Sequence, residues 1–174
     1  RVKKFVTNFR YERKKALLLH GPPGTGKTTL ALVAAKETDA ELFELNASDF
    51  RNKEKMETIL KPALEQKSLY KENKIILIDE VDGISGFADR GGLPELIRII
   101  EKSEYPVIIT ANNAFKQNLS SLRNKTEVIA IKSPSNVEIK QLLEKILAKE
   151  KKSVSEEMLI KISVKCKGDI RAAI

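Results

Sequence analysis

Gly21-Pro22-Pro23-Gly24-Thr25-Gly26-Lys27-Thr28 fits the pattern G-x-x-x-x-G-K-[ST]. In that pattern glycines let the backbone curl until successive N–H groups face the phosphates of a nucleotide, the lysine neutralises β/γ charge, and the threonine hydroxyl reaches Mg²⁺. The apolar run Ala16-Leu17-Leu18-Leu19 before it reads as a buried strand, and Thr28 to Lys36 after it has helical spacing. The loop thus lies where a strand passes into a helix, the context a phosphate loop requires. Gly21, Pro22, Pro23, Gly24, Thr25, Gly26, Lys27, Thr28 and Thr29 are the expected nucleotide-binding residues.

A second motif, Ile75-Ile76-Leu77-Ile78-Asp79-Glu80, bears on what happens to the nucleotide. Four consecutive apolar residues cannot alternate between a wet and a dry face, so this strand is expected to be buried on both sides, as in the centre of a parallel sheet. Two carboxylates at the end of such a strand are costly without a cation nearby. Asp79 is expected to hold Mg²⁺ together with Thr28, and Glu80 to polarise the attacking water. A small-molecule kinase also needs a phosphate loop but has no use for a water-activating glutamate there, so ATP hydrolysis outranks phosphoryl transfer to a second substrate.

With 174 residues, 41% of them hydrophobic and 32% charged, the chain has the composition of a folded globular protein with one core or a core and a small satellite. Its apolar runs are too short to span a membrane, and its basic start lacks the apolar stretch of a signal peptide, so an intracellular protein is expected, cytoplasmic or nuclear according to the cell type. One cysteine, Cys166, and one histidine, His20, provide neither a disulfide framework nor a Cys/His metal site. Cys166 reads as a half-buried helix residue and His20 as the end of the first strand. The net charge of +8 is concentrated at the two ends: residues 1–16 hold seven Lys/Arg and one Glu, and residues 132–174 hold ten Lys/Arg and six acids. Such ends suit a polyanion such as nucleic acid, or equally a solvated lysine-rich surface.

Strand-like runs recur at 16–20, 41–45, 75–78, 107–110 and 128–131, with helical stretches between the first four. This alternation predicts a parallel five-stranded α/β sheet flanked by helices. After residue 132 the spacing turns helical: Ser135 and Glu138 form a capping box, Ser153-Val154-Ser155-Glu156 opens another helix, and Gly168-Asp169 punctuates before a third. A nucleotide-binding α/β domain over 1–132 and a small, incomplete helical lid over 133–174 are therefore expected. The chain starts in a charged stretch without methionine and stops without a helix cap, and so reads as a fragment.

A phosphate loop, an Asp-Glu strand and an appended helical segment resemble an AAA+ ATPase. Four further stretches narrow the likeness: Leu45-Asn46-Ala47-Ser48-Asp49, Asp79-Glu80-Val81-Asp82-Gly83, Thr110-Ala111-Asn112-Asn113 and Gly168-Asp169-Ile170-Arg171. In this order they resemble the clamp-loader ATPases of replication factor C. The run Ser85-Gly86-Phe87-Ala88-Asp89-Arg90-Gly91-Gly92 is similar to the archaeal large-subunit branch.

The resemblance implies residue roles. Asn112 would orient water or touch the γ-phosphate as sensor 1, with Asn113 a turn residue beside it. Arg171 would reach the γ-phosphate as sensor 2. Asn46 would restrain Glu80 as a switch, or else close an Asx turn with Asp49. Arg90 and Arg98, and more weakly Lys53 and Lys55, would touch DNA phosphates without reading sequence. Small subunits of that assembly carry a Ser-Arg-Cys triplet whose arginine enters a neighbour's site, where such fingers are worth ~10³ to 10⁵ in rate. Here Asn124-Lys125-Thr126 stands in its place, so the chain would receive a finger without giving one, unless a shifted register put Arg123 there. The implied partners are clamp-loader small subunits, a sliding clamp and primer-template DNA, with ATP and Mg²⁺ as cofactors and no membrane. By the same resemblance, the Tyr-Arg-Pro adenine-contacting segment, the collar domain and the clamp-binding tail of that family are expected to lie outside these residues. The rivals are another AAA+ DNA remodeller, such as a branch-migration motor, and a nucleotide-gated scaffold of a checkpoint loader.

Overall fold

The computed structural model describes residues 1–47, 58, 60, 62, 71, 73–83 and 92–174. Its described elements in chain order are α1 (Val2–Thr7), a 3₁₀ turn (Phe9–Tyr11), β1 (Ala16–His20), α2 (Lys27–Glu37), β2 (Ala40–Asn46), β3 (Asn73–Asp79), α3 (Gly92–Glu101) and β4 (Val107–Ala111). A second 3₁₀ turn (Gln117–Leu119), α4 (Ser120–Lys125), β5 (Glu127–Ala130), α5 (Asn136–Lys149), α6 (Glu156–Lys165) and α7 (Ile170–Ala173) complete the set.

The chain forms two compact units. One contains residues 1–20 and 27–130, the other residues 21–26 and 131–174. In the first, the five strands make one parallel sheet in the order β2-β3-β4-β1-β5, as the alternation of strands and helices predicts. The apolar runs explain the interior. Leu17, Leu18, Leu19, Ile75, Ile76, Leu77, Ile78, Val107, Ile108 and Ile109 have no solvent exposure, because β1, β3 and β4 each have a neighbour on both edges and helices cover the faces. Leu93, Leu96, Ile99 and Ile100 recur at helical spacing along α3 and are buried against this core.

The strand order sets the site. The chain leaves the C-terminal end of β1 toward β2 at one edge, and leaves the end of the adjacent β4 toward β5 at the other. Connections that diverge from neighbouring strands leave a crevice at their carboxyl ends, the usual ligand position in open parallel sheets.

The second unit is held by a small cluster of Ile139, Leu143, Leu159 and Ala173 from α5, α6 and α7. The Ser135 hydroxyl accepts the Glu138 N–H, and the Glu138 carboxylate accepts the Ser135 N–H, completing the predicted capping box. Helix α6 begins after Ser155, and Cys166 is half-buried at its end.

Candidate nucleotide site

In the first unit, β1 ends at His20 and α2 starts at Lys27. The Lys27 side chain is buried, and its Nζ donates to Asn112 Oδ1 at 3.1 Å. Lys27 follows β1 in the chain and Asn112 follows β4, so this bond joins the two strands that flank the crevice. At the next residue, Thr28 Oγ1 lies 3.2 and 3.1 Å from the two Asp79 carboxylate oxygens. Thr110 Oγ1 also donates to Asp79 Oδ1. The Asp79 carboxylate is therefore fixed by two hydroxyls from two other elements.

Glu80 follows at once, with φ of 58°. A non-glycine residue in the left-handed region costs about 1–3 kcal/mol and persists only where its surroundings over-determine it. Those surroundings are visible: the Glu80 N–H donates to Thr110 Oγ1 at 3.0 Å, and the Val81 N–H to the Thr110 carbonyl at 3.0 Å. The left-handed turn ends β3 and leaves Glu80 exposed next to the half-buried Asp79. One threonine thus anchors both carboxylate residues.

Asp82 has a matching role behind them. Its buried carboxylate accepts the N–H groups of Asn112 at 2.9 Å and Asn113 at 3.0 Å, and Lys116 Nζ donates to its carbonyl at 2.7 Å. Asn113 Oδ1 closes a turn by accepting the Phe115 N–H at 2.9 Å. Neither Thr110 nor Asp82 is among the site residues that the motifs name. The Asp-Glu-Val-Asp spacing was a usable signal for Asp82; for Thr110 there was none beyond its place at a strand end.

The remaining residues of this unit are less concentrated. Asn46 ends β2 and pairs in register with Asp79. Thr29 is exposed on the first turn of α2. Arg98 Nε bonds both oxygens of Glu95, at 3.1 and 3.0 Å, one turn earlier on α3. Arg90, Lys53 and Lys55 lie outside the described residues. Arg123 donates through NH1 to the carbonyls of Ala114 at 2.6 Å and Lys116 at 3.1 Å, and its guanidinium lies over Phe115. In the triplet position, Lys125 pairs with Glu101 at 2.7 Å and the buried Thr126 hydroxyl donates to the Leu122 carbonyl at 2.8 Å.

In the second unit, the loop 21–26 packs with the C-terminal segment. A Cβ on Gly21 would lie 2.1 Å from the Ile131 carbonyl oxygen, so only glycine fits there. Gly24 has φ of 68°, and a Cβ on it would lie 1.8 Å from Asp169 Oδ1. Thr25 Oγ1 donates to the Pro22 carbonyl at 2.8 Å, closing the loop on itself. Pro22 and Pro23 are exposed, and Arg171 is exposed on the first turn of α7.

The donor set suits Mg²⁺, which is commonly held by one or two carboxylates completed by substrate phosphates rather than by an all-protein cage. Thr28 and Asp79 supply a hydroxyl and a carboxylate already brought to hydrogen-bonding distance, and among the described residues no cluster of three His, Cys, Asp or Glu competes for a metal. Among the described residues no helix is long and apolar enough to cross a membrane.

The chain is 45% identical over 161 residues to the replication factor C large subunit of Staphylothermus marinus, 92% of this chain and 38% of that protein. It is 47% identical over 162 residues to the large subunit of Thermofilum pendens, covering 92% and 39%. To that of Nanoarchaeum equitans it is 43% identical over 171 residues, covering 98% and 40%. The chain thus spans about two fifths of the length of these relatives and is a homologue of their replication factor C large subunits. Residues 17–134 match the model of the ATPase family associated with various cellular activities, and the chain belongs to that AAA family.

Proposed function

We propose that this chain is the ATP-binding and ATP-hydrolysing part of a clamp-loader large subunit, acting in DNA replication. The observation that carries the reading is the cluster of Thr28, Asp79, Thr110 and Glu80 in a single hydrogen-bonded group, in a chain whose relatives are replication factor C large subunits. The loop 21–26 with Lys27, Thr28 and Thr29 holds the triphosphate. Lys27 neutralises β/γ charge, a role for which its Asn112 bond keeps the ammonium placed. Thr28 and Asp79 hold Mg²⁺, which when bound supplies charge neutralisation on the phosphate oxygens. Glu80 takes the proton of the attacking water, and Asn112 orients that water or the γ-phosphate. Arg171 senses the γ-phosphate from the helical lid, 133–174, while the α/β domain, 1–132, carries the chemistry. Asn46, in register with Asp79, is one residue from facing Glu80 and restrains it until DNA is present.

The engagement of Arg123 by its own loop supports a subunit that receives an arginine finger without giving one. Small subunits, a sliding clamp and primer-template DNA are the partners of the intracellular assembly. Arg98 and Arg90 contribute to a sequence-independent phosphate contact.

The test is steady-state ATP hydrolysis by the full-length protein assembled with its small subunits, with and without primed DNA and clamp. Joint stimulation by both is expected. Hydrolysis indifferent to the clamp would move the assignment to another AAA DNA remodeller, and nucleotide binding without hydrolysis would move it to a scaffold.

A further inference from the structure

Residues 21–26 and 131–174 belong to one compact unit, and specific contacts join them. The Ile170 N–H, at the start of α7, donates to the Gly24 carbonyl at 3.0 Å. Asp169 is the N-cap of the same helix: its Oδ1 accepts the Ala172 N–H at 3.0 Å. That same oxygen occupies the space a Cβ on Gly24 would need, 1.8 Å from its ideal position. Asp169 is itself held by its own N–H, which donates to the Cys166 carbonyl at 3.0 Å. Gly168 before it has φ of 90°, and a Cβ there would lie 2.8 Å from Ser133 Cβ.

From this geometry we infer that Asp169 is a positioning residue for the phosphate loop, locking Gly24 to the helix that carries Arg171. The inference rests on the nucleotide reading above and deepens it. A side chain that both caps a four-residue helix and abuts Gly24 sets the register of the Ile170–Gly24 bond. The loop that grips phosphate and the arginine two residues beyond Asp169 then move together. In consequence, disturbing Asp169 alters nucleotide affinity although its carboxylate belongs to no phosphate-binding motif.

The test is a double-mutant cycle on ATP affinity in the full-length assembled protein, using Gly24→Ala, Asp169→Ala and both together. Gly24→Ala alone forces the new methyl against Asp169 and is expected to weaken ATP binding at least tenfold. In the Asp169→Ala background the same change is expected to cost at least fivefold less, because the clash is gone while the unfavourable φ remains. Asp169→Asn, which keeps the cap and the shape, is expected to bind ATP within about twofold of wild type. Strictly additive effects, or an Asp169→Asn variant as defective as Asp169→Ala, would overturn the inference. A second readout needs no nucleotide: amide hydrogen exchange at Ile170 is expected to be slow in wild type and in Asp169→Asn and at least tenfold faster in Asp169→Ala. Equal exchange in all three would also overturn it. A wild-type protein that binds no ATP yet protects Ile170 would defeat the nucleotide reading and leave the lock standing.

Discussion

The carboxyl end of β3 and the first turn of α7 both present side chains proposed to serve the triphosphate, but they are built differently. Asp79 and Glu80 end a strand with neighbours on both edges, and Ile75 to Ile78 before them have no exposure. Arg171 stands on a helix of four residues whose unit is held by a cluster of four buried residues, a capping box and surface ion pairs. A parallel sheet interior resists displacement because every side chain is close-packed on both faces. A small helical cluster opens at lower free energy, as elements that respond to ligands generally do. On the proposed reading of the site, the carboxylate pair is fixed by the packed sheet before it, while the sensing arginine is mounted on a short helix of a smaller core.

The sharpest way to break that contrast is to excavate each core. Ile76→Ala, in the sheet, is expected to cost near 5 kcal/mol, and Leu143→Ala, in the helical cluster, nearer 2 kcal/mol, since fully enclosed sites collapse least around a cavity. Denaturant unfolding monitored in both units measures this; equal losses would erase the distinction.

Smaller still is the cap of α5. Ser135→Ala is expected to destabilise the helical unit by about 1 kcal/mol and to leave the sheet untouched. Acid sharpens this comparison. The Ser135 N–H, and then its hydroxyl, bond the Glu138 carboxylate and hold its pKa below the ordinary value. A depressed carboxylate contributes stability that is present above its unfolded pKa and lost as pH falls through the folded one. The gap between wild type and Ser135→Ala is therefore expected to narrow on acidification below the usual carboxylate range. A gap that widens there would contradict the assignment.

Much of the sheet was legible because apolar runs and parallel burial are local signals. β1 matches its predicted span, and β3 extends the predicted run through Asn73, Lys74 and Asp79. Lys74 shows why the ends were missed. A charged residue reads as loop, yet it is buried at the strand's start, with its ammonium over the rings of Phe43 and Tyr105 and its pKa lowered by burial against the opposing pull of Glu41. β5 begins at Glu127 and ends at Ala130, one residue earlier than the run Val128 to Ile131 suggests, because the backbone register with β1, not the apolar run, sets the pairing.

Within the candidate site, the phosphate loop and the Asp-Glu pair were visible as motifs. Thr110 was not, because its function comes from the alignment of β3 with β4, which places Ile78 beside Ile109 and brings the next residues of the two strands together. Asp169 read as punctuation before a helix. Its contact with Gly24 joins residues 145 positions apart in the chain, a distance over which no local pattern carries information.

The most direct test of the central claim is Glu80→Gln in the full-length assembled protein, with ATP affinity and single-turnover hydrolysis measured side by side. The expected result is ATP affinity within about twofold of wild type and hydrolysis slowed ~10²- to 10⁴-fold, the contribution of a general base. Hydrolysis at the wild-type rate with binding intact would contradict the account, and would place the base elsewhere than at the end of β3.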